Sequence, residues 1–376
     1  MPVERLKFMT LLSFSSVMNT VFAVLLAILI LLAMITVHEF GHYLAGKALK
    51  FKINEFAIGF GPKLFRRVSK KNGEAFSIRL LPLGGFCSFA GEDEECETGN
   101  GFNDKAPWKR IIVLIAGPLM NYLLALLLII ISLFAFGQMV FKVGGVAPAE
   151  EKYAEYCLVD GDLITQVDGK GIYLTTDLMS ALKGRKEGDI VEFEVLRDGE
   201  EMTVGIMMRA DCDFKNSEET SKLWRALGIG TFESEGVSYW NVGVENHRFG
   251  FFTTIGHSFV YSFKIAGTIF KVLGELLTGH LGLSAMGGPV TTIKLTSEIA
   301  SQSLQNFLEI SAYIGVNLAV FNLLPIPALD GSKVIFCLIE WIFRKPVPRK
   351  VEAVIHAVGF FLILGFAVLV DILQFV

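Results

Sequence analysis

Four predominantly apolar stretches of this chain, each 18 residues or longer, contain no Asp, Glu, Lys or Arg. They lie between Lys7 and His38, Arg110 and Lys142, Glu309 and Asp330, and Glu352 and Asp371. Runs of that length match the thickness of a bilayer's hydrocarbon, and backbone inside it has no water to bond, so only helices or closed barrels can cross. The runs are continuously apolar rather than alternating, which predicts an α-helical polytopic membrane protein with about four transmembrane helices. Composition agrees: 52% of the 376 residues are hydrophobic and 19% charged, with a mean hydropathy of +0.52, values that exclude an ordinary soluble globular protein. A net charge of -4, with no basic patch interleaved with aromatics, excludes nucleic acid as a partner. A cleaved signal peptide is the competing reading of the first run. Its apolar core, centred on Met18 to Val37, is too long, its start is weakly basic, and no A-x-A site follows.

The connections set an orientation, because Lys and Arg near span ends stay in the cytoplasm. Twelve of them fall between Lys47 and Arg110, and Arg344, Lys345, Arg349 and Lys350 cluster in the third connection. Residues 142–249 instead carry 21 acidic against 12 basic residues and are expected outside with both termini. Within them, GDLITQVDGKGI reads as a strand bounded by turns, and TTDLMSALK as a short helix capped by Thr175 or Thr176. DIVEFEVLRDGEEMTVGIMM alternates on both sides of Asp198-Gly199, a hairpin signal. The order of these elements over residues 143–209 resembles a PDZ domain, an inserted extracytoplasmic α+β domain. Its peptide groove would lie between the Gly144 to Ala147 strand and the helix at 176–183. The head of the segment, APAEEKYAEYCLV, departs from that family's pattern, and a spacer that binds nothing is the alternative. Residues 210–300 read as a linker and an amphipathic helix lying in the membrane interface, with a fifth span as the runner-up. This leaves an N-terminal membrane half, 1–142, and a C-terminal one, 301–376. Of the five cysteines, at 87, 96, 157, 212 and 337, none forms a CxxC pair, and whether Cys157 and Cys212 bridge is open.

Chemistry concentrates at the end of the first run, where His38-Glu39-Phe40-Gly41-His42 forms an HExxH. On a helix, positions four apart share a face, so both imidazoles can reach one zinc ion while the glutamate lies beside its water. Three ionisable groups at membrane depth are costly unless functional; a polar cap facing water is the bland reading. A zinc hydrolase needs a third protein ligand, and Asp330 is the candidate. It ends Asn322-Leu323-Leu324-Pro325-Ile326-Pro327-Ala328-Leu329-Asp330-Gly331, whose two prolines break a helix where only a protein-lined or wet environment tolerates it. Read alone, Asp330-Gly331 is equally an ordinary turn.

Together these motifs resemble the site-2 protease family of intramembrane zinc metalloproteases, in its bacterial branch that cleaves anti-sigma factors and signal-peptide remnants. HEFGH matches that family's HExxH, and NLLPIPALDG matches its N-x-x-P-x-P-x-L-D-G. The likeness extends to Gly287-Gly288-Pro289, to Ala116-Gly117-Pro118 with Asn121, and to Phe60-Gly61-Pro62. Pro82-Leu83-Gly84-Gly85-Phe86 looks like the family's re-entrant β-hairpin. Ser332 stands where the branch usually has a second glycine. The resemblance implies Zn2+ held by His38, His42 and Asp330, with Glu39 as general base. It implies substrate contact by Asn322, then Asn317, with Pro325 in the same motif, and by Gly84, Gly85 and Phe86 of the hairpin, which would offer an edge to an extended substrate. It also implies single-span membrane proteins and signal-peptide remnants as substrates, placement in the bacterial plasma membrane, and a PDZ-like domain acting as a size filter or exosite, with a peptide ligand in its groove. Asn121 reads as a helix-to-helix hydrogen bond. His247, His257, His280 and His356 match no motif and read as interfacial or loop residues, and Asp371 as the end of a span. A catalytically silent scaffold using the PDZ-like domain is the alternative function. A transporter would be expected to show inverted repeats, and none is visible.

Overall fold

A computed structural model describes residues 14–92, 101–148, 150–215, 219–234, 237–280 and 287–375. Cys96 lies outside them. The first apolar run forms a single helix, α1 (Phe14–Ala48). It continues past the last residue of the uncharged run, Val37, and carries the HExxH within it, so the motif sits inside a membrane-length helix, as the i, i+4 spacing of its histidines predicts. The chain then forms β1 (Ile53–Val68) and β2 (Ala75–Phe89), an antiparallel pair with repeated register shifts. The bends double the pairing: Ala57 partners both Ser77 and Phe86, and Ile58 both Ile78 and Gly85. Residues 55–58 are thereby flanked on both sides, and 85–88 forms an outer strand. The second apolar run is α2 (Pro107–Phe136), which keeps Pro118 inside it.

Contacts divide the chain into two compact units, residues 1–129 with 283–376, and residues 130–282. The first unit is completed by α6 (Pro289–Ala300), α7 (Leu304–Leu323), α8 (Asp330–Phe343) and α9 (Arg349–Phe375). Among the described residues three helices are long and apolar enough to cross a membrane: Val21–Ala48, Pro107–Phe136 and Arg349–Gln374. They expose Leu25 and Leu29, Leu119 and Leu123, and Phe361 and Leu362, which lipid accommodates at no desolvation cost. The remaining apolar run, expected to be a fourth span, is divided. α7 ends at Leu323, Pro325 and Pro327 withhold backbone donors, Ala328 adopts a left-handed φ of 75°, and α8 starts at Asp330.

Asp371, expected only to end a span, ties α9 to the start of α6. Its Oδ2 accepts from the Val290 N–H at 3.0 Å, and its Oδ1 from the Thr291 N–H at 3.2 Å and hydroxyl at 3.1 Å. An anion there satisfies orphan donors at the positive end of the helix dipole.

In the second unit β3 (Gln138–Val143), β4 (Leu163–Val167), β5 (Lys170–Gly171), β6 (Ile190–Arg197), β7 (Glu200–Met207) and β10 (Val242–His247) form a six-stranded sheet. The order is β10-β3-β4-β6-β7, with β5 beside β4. The β6–β7 hairpin turns at Asp198 and Gly199, with φ values of 54° and 86°, as its sequence predicts. Helix α3 (Thr175–Leu182) is capped at Leu174 rather than at a threonine; Asp177 reaches back to accept the Tyr173 and Leu174 N–H groups, both at 3.0 Å. The core runs past residue 209, the boundary expected for the domain. Cys212, Phe214, Leu223, Trp224 and Leu227 are buried with Phe193, Ile164 and Leu178 in one cluster, α4 (Thr220–Ala226) supplying two of them. A further two-stranded pair, β8 (Thr231–Ser234) with β9 (Val237–Trp240), precedes β10. The Gly144 to Ala147 strand does not present a free edge: the Gly230 N–H donates to Gly145 O at 2.8 Å and the Ala147 N–H to Gly228 O at 2.9 Å. Beyond the sheet, α5 (Phe251–Leu277) is one 27-residue helix. Its Lys264 is held by the Asp177 carboxylate at 2.9 Å and by Gly171 O at 3.0 Å. Cys157 and Cys212 are both free thiols, and burial pushes the Cys212 thiol up to about 11, which keeps it protonated and unreactive.

Candidate metal centre

His38 and His42 stand one turn apart on α1, and the helix brings both rings to the same face. Their Nε2 atoms are 3.0 Å apart. Asp330, at the first position of α8, directs Oδ2 to 3.0 Å from His38 Nε2 and 3.5 Å from His42 Nε2. Residues 292 positions apart therefore meet because the Pro325 to Leu329 turn ends one helix and aims the next. That turn is held from α9: the Ala328 N–H donates to His356 Nδ1 at 3.0 Å. His356, read from the sequence as an interfacial histidine, thus supports the segment that presents Asp330. Ser332, the departure from the family pattern, donates its hydroxyl to Leu329 O at 2.7 Å and braces the same turn.

Two imidazoles and a carboxylate make a donor set that suits zinc. Bonds of about 2.1 Å in a tetrahedron separate ligands by about 3.4 Å, and the three observed separations bracket that value. The second nitrogen of each ring is also placed. His42 Nδ1 stands 2.8 Å from Val113 O, a carbonyl that can only accept, so the proton is on Nδ1 and the Nε2 lone pair faces the centre. His38 Nδ1 faces the side chain of Asn121 at 3.4 Å. The residues fit a zinc ion with one ligand position left over.

Glu39 lines the same cavity as His38, His42 and Asp330. Its Oε2 accepts the Cys87 N–H at 2.9 Å, so the outer strand of the hairpin fixes one carboxylate oxygen and leaves its partner free. A cavity of about 400 Å³ opens here, lined by His38, Glu39, His42, Asp330, and the Phe86 to Phe89 stretch, with Glu92 and Lys333. The latter two form an ion pair at 2.8 Å. Of the residues expected to touch substrate, Phe86 lines this cavity, and the backbone at Gly85 passes beside Glu39, since a Cβ there would lie 3.5 Å from Glu39 Cγ. Asn317 and Asn322 lie on α7 and Pro325 just beyond it, none of them among the lining residues.

The HExxH helix packs against α2 with almost no space between backbones. A Cβ on Gly41 would come within 2.3 Å of Ala116 O, and one on Gly117 within 2.4 Å of His42 Nε2. Val113, Gly117 and Asn121 recur every fourth residue, so one stripe of α2 faces both histidines. Sequence reading missed this stripe as part of the site, although the i, i+4, i+8 spacing was there to find. The same reading missed Cys87, whose contribution comes from its backbone and leaves no side-chain signal.

Comparison with known proteins follows the same lines. The model for peptidase family M50 matches residues 26–366. A relative from Clostridium perfringens, whose name places it among the zinc metalloproteases, is 34% identical over 351 residues, covering 93% of this chain and 97% of its own length. The zinc metalloprotease RasP of Bacillus licheniformis is 28% identical, covering 91% of this chain and 95% of that protein. The regulator of sigma-W protease RasP of Bacillus subtilis is 27% identical over 91% of this chain and 94% of its own length.

Proposed function

The chain belongs to peptidase family M50 and is a membrane zinc metalloendopeptidase, and from that premise we propose that it hydrolyses peptide bonds within the transmembrane segments of other membrane proteins. The observation that carries the proposal is that Asp330 of α8 meets His38 and His42, with Glu39 lining the same cavity, on a helix long and apolar enough to cross a membrane. A hydrolytic site at that depth serves substrates whose scissile bond is also there. His38, His42 and Asp330 would hold the zinc. When bound, zinc supplies Lewis acidity, lowering the pKa of a ligated water to about 7 and polarising the scissile carbonyl.

Glu39 takes the proton of the attacking water on its free oxygen and returns it to the leaving amine. The Cys87 N–H keeps that carboxylate from swinging away between the two transfers. Val113 O holds His42 in the tautomer that faces the centre. A transmembrane substrate has its peptide bonds satisfied within its own helix and must unwind before attack. The outer strand at 85–88, with the Pro82 to Phe86 segment that runs into it, would hold the unwound segment as an added strand, and Asn322, Asn317 and Pro325 would contact it from the α7 side. In this reading the hairpin is re-entrant, the divided run counts as a fourth span, and the inserted domain is PDZ-like and extracytoplasmic. It would admit substrates already trimmed outside. The name of the Bacillus subtilis relative supports anti-sigma-factor-like substrates, and signal-peptide remnants fit the same chemistry. The membrane in this reading is a bacterial plasma membrane.

The test is cleavage of a tagged single-span protein by the purified enzyme, with the products' new termini located by mass spectrometry. Termini within the apolar segment are expected. Termini only outside it would overturn the intramembrane reading and leave an ordinary membrane-anchored protease.

A further inference from the structure

Asn121 is 1% exposed and sits between helices, with its amide nitrogen Nδ2 3.4 Å from His38 Nδ1. Its Oδ1 is buried and has no hydrogen-bond partner as the amide is oriented. In that orientation the amide presents its donor to the ring nitrogen, which does not match the chemistry of a zinc-ligating histidine. To ligate zinc through Nε2, His38 must carry its proton on Nδ1, and an Nδ1–H in an apolar interior needs an acceptor. Among the described hydrogen bonds, Asn121 is the group that meets this nitrogen. A carboxamide has nearly the same shape either way round, and a half-turn of its terminal group exchanges donor for acceptor without moving the chain.

We propose that Asn121 is a positioning residue for the zinc ligand His38, its carboxamide oxygen accepting the Nδ1–H and fixing ring and tautomer. With the amide turned that way, each histidine has its own acceptor from the same stripe of α2: Val113 O for His42, Asn121 Oδ1 for His38. The backbone oxygen cannot be mutated away, but the side chain can. The proposal deepens the zinc-site reading and rests on it.

The experiment measures zinc affinity by competition with a chromophoric chelator, on purified full-length protein in detergent, for wild type, Asn121→Leu and Asn121→Asp. Thermal midpoints under excess chelator report folding independently of metal. The expected result is zinc binding about 10–100-fold weaker in Asn121→Leu, and wild-type or tighter binding in Asn121→Asp, which keeps an acceptor and loses both donors. Affinity unchanged in Asn121→Leu would overturn the proposal, as would affinity tenfold weaker in Asn121→Asp, which would assign the role to the amide's donor. Should Asn121→Leu fail to fold, Asn121→Asp decides alone by the same criterion. Wild type that bound no zinc would instead defeat the zinc-site reading itself.

Discussion

Gly117→Ala adds one methyl group to a membrane helix that tolerates alanine well, and it should nevertheless disable the enzyme. The new Cβ would stand 2.4 Å from His42 Nε2, 2.6 Å from His42 Cε1 and 2.9 Å from His38 Nε2. Ordinary contact begins near 3.4 Å, so the two rings or the helix must yield by about 1 Å. Zinc ligand distances tolerate about 0.2 Å. His42 cannot rotate aside without breaking its bond to Val113 O, and α1 can back away only by opening the close backbone contact of Gly41 with Ala116. Overpacking of this kind costs about 1–3 kcal/mol. Charged against metal binding, that is about 5–150-fold in zinc affinity, at about 1.4 kcal/mol per tenfold. The assay is chelator competition in detergent, with cleavage of a single-span substrate read in parallel. Gly274→Ala is the control, since its Cβ would meet nothing within 4 Å. Wild-type zinc affinity and cleavage in Gly117→Ala would refute the packing argument.

Three further outcomes follow from other contacts. His356→Phe removes the acceptor for the Ala328 N–H and should loosen the turn that presents Asp330; zinc affinity should fall by roughly fivefold for about 1 kcal/mol lost, and an unchanged affinity would show that the turn holds itself. Asp371→Ala strips three hydrogen bonds from the start of α6 and should lower the thermal midpoint by the equivalent of about 1–2 kcal/mol while zinc stoichiometry stays at wild type. In the inserted domain Asp162 is fully buried and accepts from Arg197 Nε at 2.7 Å and Nη2 at 2.8 Å; Asp162→Ala should cost about 1–3 kcal/mol, since the Arg197 left behind is partly exposed, and be seen as proteolytic nicking within residues 138–247.

What could be read from the sequence was set by local periodicity. HExxH declares itself because four residues make about one helical turn, and the Asp198-Gly199 hairpin because its turn needs two positive φ angles. Asp330 was legible through the two prolines before it. Residues whose roles depend on which helices become neighbours were not legible. Asn121 looked like any buried amide until α2 was seen against α1, and Asp371 like a span end until the start of α6, some 80 residues earlier, was seen beside it. His356 carries no local signal of supporting a loop 28 positions away. The inserted domain's extent escaped for a related reason: residues 212–229 alternate too weakly to announce a core, yet Leu223, Leu227 and Ile229 close it. The same packing gave the Gly144 to Ala147 strand partners from within the chain, which no motif for a peptide groove could reveal.

The central claim, a zinc-dependent hydrolysis with Glu39 as its proton carrier, is most directly tested by Glu39→Gln beside wild type, with zinc content and cleavage of a single-span substrate measured on the same samples. The expected result is zinc retained at wild-type stoichiometry with cleavage abolished, because Gln keeps the side-chain oxygen that Cys87 N–H binds but cannot accept a proton. Equal cleavage by both proteins would remove Glu39 from the mechanism, and cleavage by neither with zinc in neither would leave the scaffold reading in its place.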